Sequence, residues 1–309
     1  MNIVTLTLNP AFDVHCYAEN FQPFHENLAR ITANDAGGKG VNISRALTVN
    51  GVDNTALVVL GCENADSFRR ALDADGIPYC EIAVVGRIRE NITLHTNDAP
   101  ETRISFAGFS ANDQLMDRVE EQLRSLLKAG DILTFTGRNP EGISMARVKK
   151  MLTDLRTRGI KIVLDSRSFD KQDMLDVSPW LIKPNEEEVG SYVDVEVHDF
   201  QDAKLAAEAL RAKGIENVMI SLGAKGAMLC CADGCYVAHA PKINALSTIG
   251  AGDSSIGGFC AAAKAGQSAS DMLRHAVAYG SAACMTEGTQ PPLAKDVQAL
   301  LPTVIVEAL

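Results

Sequence analysis

From residue 112 to residue 285 short apolar runs alternate with amphipathic ones, and this alternation limits the fold more than any other feature of the sequence. Leu115, Met116, Val119, Leu123, Leu126 and Leu127 recur at helical spacing, followed by a strand over 132–136, a helix over 144–156 and a strand over 160–165. A strand over 180–183, helices near 186–192 and 202–213, and strands over 217–222, 226–231 and 235–239 continue the series. Helices over about 252–265 and 269–285 close it. Strands apolar along their length are buried on both faces, so the pattern predicts an α/β fold with a mostly parallel sheet covered by helices on both faces. Upstream, 2–8 and 54–60 read as further strands, 65–74 as a helix closing at Gly76, and 79–85 as extended. Two stretches break the alternation. The first resumes an extended pattern at Phe12, and the second reads as a hairpin, 91–95 and 102–106, around the turn Asn97-Asp98-Ala99-Pro100-Glu101. They are expected to form a small β-sheet lid, about 12–35 and 87–106, on a single domain spanning 1–309. No repeat or linker-like segment interrupts it.

Partners are narrowed by charge. A formal net charge of −10 argues against nucleic acid and anionic membranes, and any phosphate site must then rest on a local basic cluster. No apolar run approaches the roughly 18 residues of a membrane helix. The N-terminal stretch Met1 to Leu8 reads as a strand rather than a basic leader, so a cytoplasmic protein is expected. The eight cysteines form no CxxC pair and have no matching histidine cluster. Reduced thiols, with neither a zinc site nor a disulfide framework, are therefore expected.

Two glycine-rich stretches carry chemistry. In Ser247-Thr248-Ile249-Gly250-Ala251-Gly252-Asp253, Gly250 and Gly252 have no Cβ to hold an anion off the backbone. The small-residue run that follows is helical, which puts the N–H groups at a helix N-terminus. Asp253 beside an anion site suits a base that deprotonates an attacking hydroxyl, which sketches a phosphoryl transferase. Gly37-Gly38-Lys39-Gly40-Val41-Asn42 opens another helix, with Lys39 as a cation and Asn42 an amide one turn on. Arg87, Arg89 and Arg103 gather on or beside the hairpin, and arginine forks suit phosphate oxygens, although exposed hairpin arginines are common. Asp13, just past a strand end, stands where parallel sheets contact substrates, but taken alone it reads better as a turn residue. The sequence holds no G-x-x-x-x-G-K-[ST], G-x-G-x-x-G after a strand, G-x-S-x-G or H-E-x-x-H.

Taken in order, Leu8-Asn9-Pro10-Ala11-Phe12-Asp13, Gly37 to Asn42, Lys183-Pro184-Asn185-Glu186-Glu187-Glu188, Ser221 to Gly226, and Gly250-Ala251-Gly252-Asp253 closely resemble the ribokinase-like (PfkB) family of sugar kinases. The start resembles its phosphosugar branch, and the likeness runs from Thr5 to Thr289. It implies Asp253 as catalytic base and the backbone of Gly250, Ala251, Gly252 and Asp253 as an anion hole. Asn185 and Glu188 match the element that holds Mg2+ with its waters, whereas Glu186 and Glu187 read as ordinary acids of a helix first turn. Lys183, Ser221 and Gly223 match positions near the phosphates of ATP, and Ser247 and Ile249 its pocket. Asp13, Gly38, Lys39 and Asn42 match the sugar side, and Arg89 and Arg103 the grip on a phosphate already present on the substrate.

The resemblance implies ATP-dependent phosphorylation of a ketohexose phosphate, foremost fructose 1-phosphate to fructose 1,6-bisphosphate. Alternatives are tagatose 6-phosphate or fructose 6-phosphate, then an unphosphorylated sugar or nucleoside, and last a non-catalytic sugar-phosphate sensor. One departure bears on substrate. Thr136-Gly137-Arg138-Asn139-Pro140-Glu141-Gly142 stands where the branch has S-G-S-L-P-x-G, so Arg138 replaces a serine expected at the substrate phosphate. The lid hairpin leaves an open edge, so a homodimer through the lid is compatible with the sequence.

Overall fold

A computed structural model describes residues 1–97, 101–193 and 195–309. Its elements begin with β1 (Ile3–Thr7), β2 (Ala11–Ala18), β3 (Arg30–Gly37), α1 (Lys39–Val49), β4 (Thr55–Gly61), α2 (Ala65–Ala74), β5 (Tyr79–Val84), β6 (Arg89–Thr96) and β7 (Thr102–Ser105). The alternating region supplies α3 (Asp113–Leu126), β8 (Ile132–Thr136), α4 (Met145–Thr157), β9 (Lys161–Asp165), α5 (Lys171–Val177), β10 (Leu181–Ile182), α6 (Glu186–Val193) and α7 (Phe200–Arg211). Then come β11 (Asn217–Ser221), β12 (Gly226–Cys231), β13 (Gly234–His239), α8 (Ala251–Lys264), α9 (Ala269–Ala283), α10 (Ala294–Leu300) and β14 (Val306–Ala308).

The expected sheet is present as ten strands in the order β14-β13-β12-β11-β10-β9-β8-β1-β4-β5. Pairing is parallel from β5 across to β11 and antiparallel from β11 to β14. Strands β1 and β8, buried at every position, are interior strands with neighbours on both sides, which is why they read as unbroken apolar runs. Successive side chains of β1 serve opposite faces. Val4 and Leu6 join a core with Met116, Val119 and Leu123 of α3 and Val148 and Met151 of α4. Ile3 joins a second core with Ile43 and Leu47 of α1, Phe259 of α8 and Leu273 of α9. Helices therefore cover both faces, as expected.

The stretches outside the alternation form a separate four-stranded sheet, β3-β2-β6-β7, with β2 and β6 parallel and both outer pairings antiparallel. Strands β6 and β7 are the expected hairpin, although residues 98–100 of its turn lie outside the described residues. Three short elements, α5, α10 and β14, were not legible in the sequence pattern. At seven, seven and three residues they are too short for periodicity to declare itself. The expectation that all cysteines are free thiols is corrected: Cys230 and Cys235 are disulfide-bonded. They are direct partners across the β12–β13 hairpin, a proximity that only the register reveals. Among the described residues no helix is long and apolar enough to cross a membrane.

Candidate active site

At the N-terminus of α8 the backbone is arranged to receive an anion. Gly250 caps the helix at φ 79° and ψ −8°, a left-handed conformation that glycine adopts without strain. The Ser254 N–H donates to Gly250 O at 2.9 Å, and the Ala251 N–H reaches Thr248 O at 3.4 Å. Those of Gly252 and Asp253 are left over, as first-turn helix donors are. The Nζ of Lys183 approaches here: a Cβ on Gly252 would stand 3.1 Å from it. Backbone N–H groups, a helix dipole and an ammonium thus converge on one point.

Asp253 follows in the first helical turn and is 7% exposed. Its Oδ2 accepts a hydrogen bond from Asn42 Nδ2 at 2.9 Å. Burial pushes its carboxyl up to about 6, against the opposing pull of Lys39, Asn42 and Lys183 and with the help of Asp165. A carboxylate so placed is ionised at neutral pH yet basic enough to take a proton. Lys39, the first residue of α1, donates to Asp165 Oδ2 at 2.9 Å. Burial would raise Asp165, but Lys183 and Lys39 hold it below the usual carboxylate range. Lys39 in turn is raised, burial being outweighed by Asp165 and Asp253.

The glycines before Lys39 have steric causes. A Cβ on Gly37 would fall 2.2 Å from Asp13 Oδ2, and one on Gly40 would fall 2.8 Å from the backbone oxygen of Leu6. Gly38 sits at φ 118°, where a side chain would be strained. The run therefore seats α1 against β1 while leaving room for the Asp13 carboxylate.

On the lid, Asp13 lies opposite Asn91 in the β2–β6 register, and Asn91 Nδ2 donates to Asp13 Oδ1 at 2.9 Å. Burial raises Asp13, while Asn91, Arg103, His15 and Arg89 pull it down. Arg89 shares the strand face of Asn91 by the two-residue period, and Ser105 is the β7 partner of Asn91. Arg138 follows Gly137 at the end of β8. Arg89, Arg103 and Arg138 make no salt bridge among the described residues, and Arg89 Nε is buried without a partner. Burial lowers Arg89, partly offset by Asp13, and Arg138 lowers it further. Like charges left together in an acidic protein define an anion site.

These groups line a single cleft of about 670 Å³, with six cationic side chains (Lys39, Arg89, Arg103, Arg138, Arg167, Lys183) against four anionic ones (Asp13, Asp165, Glu188, Asp253). Gly38, Asn42, Asn185, Ser221, Ile249 and Gly250 border it as well. Three expected residues do not line it: Ala251 stands between Gly250 and Gly252, which do, and the other two lie elsewhere. Ser247 lines a neighbouring cavity beneath the lid, beside His15 and His95, and Gly223 sits in open space in the turn before β12.

Asn185 and Glu188 cap α6 reciprocally. The Glu188 N–H donates to Asn185 Oδ1 at 2.7 Å, and the Asn185 N–H to Glu188 Oε2 at 3.2 Å. The pair offers only hard oxygen donors at the cleft wall. No cluster of three or more His, Cys, Asp or Glu able to hold an ion exists among the described residues. The donor set therefore fits an ion that keeps its waters and arrives on phosphate, which is how Mg2+ is usually bound.

Several cleft groups escaped the sequence reading. Asn91, Thr136 and Thr289 line the cleft, and among the described residues their buried oxygens Asn91 Oδ1, Thr136 Oγ1 and Thr289 Oγ1 have no partner, which marks the wall as polar. For Asn91 the signal was its two-residue spacing from Arg89; for Asp165 it was its place at the carboxyl end of a parallel strand.

The architecture and this cleft define a phosphoryl-transfer class, and comparison with known proteins makes the class specific. The profile of the pfkB family carbohydrate kinases matches residues 8–296, and the chain belongs to that family. It is 34% identical over 281 residues to 1-phosphofructokinase of Escherichia coli (strain K12), covering 91% of this chain and 90% of that protein. It is 30% identical over 307 residues to 1-phosphofructokinase of Vibrio cholerae, covering 99% and 97%. Phosphofructokinase-2 from Escherichia coli, solved in complex with substrates and products, superposes with a TM-score of 0.90 at 26% identity, covering 98% of this chain and 99% of that one.

Proposed function

We propose that this chain is an ATP-dependent kinase of a ketohexose phosphate, foremost one converting fructose 1-phosphate to fructose 1,6-bisphosphate, with residues 1–309 working as one kinase domain. The observation that carries the reading is the unpaired arginine group Arg89, Arg103 and Arg138 in the cleft that also holds Asp253 and the free N–H groups of α8. A substrate that fills the cleft thus brings its own phosphate as well as a hydroxyl. The names of the relatives agree with a fructose phosphate.

In this reading Arg89, Arg103 and Arg138 neutralise the phosphate already on the sugar, while Asp13, Gly38, Lys39 and Asn42 border the sugar itself. Asp253 takes the proton of the attacking hydroxyl at a carboxylate oxygen, with Asn42 holding the group in place. The hydroxyl oxygen forms a bond to the terminal phosphorus of ATP as the bond to the bridging oxygen breaks, and ADP leaves with that electron pair. The N–H groups of Gly252 and Asp253, in the first turn of α8 after Gly250 and Ala251, face the charge that spreads over the transferring group, and Lys183 adds to them. Positioning and charge stabilisation of this kind supply most of phosphoryl-transfer catalysis. Ser221 and Ile249 border the nucleotide in the cleft, and Gly223 and Ser247 are assigned to the part of it that extends beyond the cleft. Mg2+ carried on the nucleotide, with Asn185 and Glu188 as its protein oxygens, would supply further neutralisation of the phosphates.

The test is coupled ADP release with Mg-ATP over fructose 1-phosphate, tagatose 6-phosphate, fructose 6-phosphate, fructose and ribose. The expected result is the highest kcat/KM for fructose 1-phosphate and negligible turnover of fructose and ribose. Equal turnover of fructose and its phosphates would remove the role given to the arginines. Fructose 6-phosphate is the second reading, favoured by the 0.90 superposition on phosphofructokinase-2.

A further inference from the structure

We propose that Asp165 is a positioning residue for the transfer step, holding Lys39 away from Asp253 and serving as the shared counter-ion of Lys39 and Lys183. The proposal rests on the reading of Asp253 as base.

Three segments bring the charges together. Lys39 opens α1, Asp165 ends β9, and Lys183 follows β10, whose Ile182 is the register partner of Leu164. The Asp165 side chain is 10% exposed and accepts from Lys39 Nζ at 2.9 Å. Lys183, 7% exposed, brings its ammonium close to the backbone of Gly252 and makes no salt bridge among the described residues. The half-buried Lys39 and the buried Lys183 therefore both act on one carboxylate. The other carboxylates acting on Lys39 are Asp253, whose side-chain hydrogen bond comes from Asn42 instead, and, more weakly, Glu188.

This division of partners matters for the chemistry. A base accepts a hydroxyl proton only if a lone pair is free to face that hydroxyl. Lysine has a flexible stem and follows the nearest anion. Without the Asp165 charge, Lys39 would turn to Asp253, occupy that lone pair and stabilise the ionised carboxylate. The charged groups acting on Asp253 are Lys39 from α1, Asp165 from β9 and Lys183 after β10, with Asn42 contributing a hydrogen bond. From the other side α9 packs along α8: Gly280 lies on Ser255, and further along the helix Tyr279 and the backbone of His275 lie on Gly258, while none of the charged groups acting on Asp253 comes from α9.

The test compares pH profiles of kcat for the parent, Asp165→Asn, Asp165→Glu, Asp165→Asn/Lys39→Gln and Asp253→Asn proteins, at saturating Mg-ATP and fructose 1-phosphate. The substrate phosphate also titrates, but identically for every variant, so it cancels in the comparison. Asp165→Asn is expected to lower kcat at pH 7.5 by on the order of ten- to a hundredfold. It should also move the acid limb down by about one pH unit, the scale of one nearby charge. Asp165→Glu, which keeps the charge, should leave the limb in place even if turnover falls, and the double variant should bring it back towards the parent. A limb unmoved in Asp165→Asn, or not restored in the double variant, overturns the proposal. Should Asp165→Asn fail to fold, a limb that moves in Asp165→Glu overturns it as well. Near-parental turnover of Asp253→Asn would instead remove the base assignment itself, so the two failures are distinct.

Discussion

Asp253 carries a stability cost along with its proposed role. Burial pushes its carboxyl up to about 6, above the ordinary 3.8, so the folded chain binds this proton more tightly than the unfolded chain does. The sign follows: ionisation weakens the fold fully above about pH 6, and the penalty fades as pH falls towards 3.8. Asp253→Asn removes the charge and keeps an oxygen able to accept from Asn42. It is expected to raise stability at pH 7.5 by about 2–3 kcal/mol, measured from urea unfolding. Turnover should drop by about two to four orders of magnitude. A less stable variant would contradict the burial argument. The parent's kcat should likewise decline on acidification through about pH 6, as the base becomes protonated. Arg89→Ala belongs to the same scale. Losing one charge-assisted contact of about 1.5–3 kcal/mol should raise KM for the sugar phosphate tenfold or more while leaving KM for ATP nearly unchanged. Equal effects on both would move Arg89 out of the sugar-phosphate grip.

Helix α8 has to present its N-terminus at a fixed place, and two adjacent glycines in it have different reasons for being there. A Cβ on Gly257 would meet Ala46 Cβ of α1 at 3.6 Å, an ordinary contact. A Cβ on Gly258 would fall 2.5 Å from the backbone oxygen of His275 and 2.8 Å from the Tyr279 ring, both on α9. Gly257→Ala should therefore be neutral or stabilising by up to about 1 kcal/mol, the helix-propensity gain. Gly258→Ala should cost about 1–3 kcal/mol by overpacking and lower kcat, because α9 can make room only by shifting the helix that carries Asp253. Denaturation midpoints and turnover of the two variants decide this, and equal behaviour would refute the asymmetry. The sequence displayed α8 well, since the small-residue run, the capping glycine and the acid in the first turn are all local. Parallel strands were legible for the same reason, as apolar runs buried on both faces. Less local features were not. The Lys39–Asp165 ion pair joins residues 126 positions apart, and no spacing rule links them. The Cys230–Cys235 bond depends on hairpin register, and the orphaned hydroxyls of Thr136 and Thr289 become visible only once the cleft is assembled.

At the scale of the molecule the lid presents an unusual surface. Phe24 and Leu28 are fully exposed, and Ile31, Ile104 and Phe106 are 68%, 48% and 51% exposed. Strands β3 and β7 are the two edges of the lid sheet, so open backbone groups accompany this apolar surface. A patch of this kind on a chain of net charge −10 calls for a partner. We propose that the partner is a second copy of the chain, because an exposed edge strand can pair with itself about a twofold axis and bury the same patch on both subunits. Such a dimer would tie the lid strands that carry Asp13, Arg89 and Arg103 to the partner's lid, so assembly and substrate affinity would change together. Light scattering at micromolar concentration is expected to give twice the mass of the chain. Ile31→Lys, which places a charge on the β3 edge of the proposed seam and outside the cleft lining, should yield a monomer with a higher KM for the sugar phosphate. A parent that remains monomeric at these concentrations, or a monomeric variant with unchanged KM, would show that the lid works without a partner.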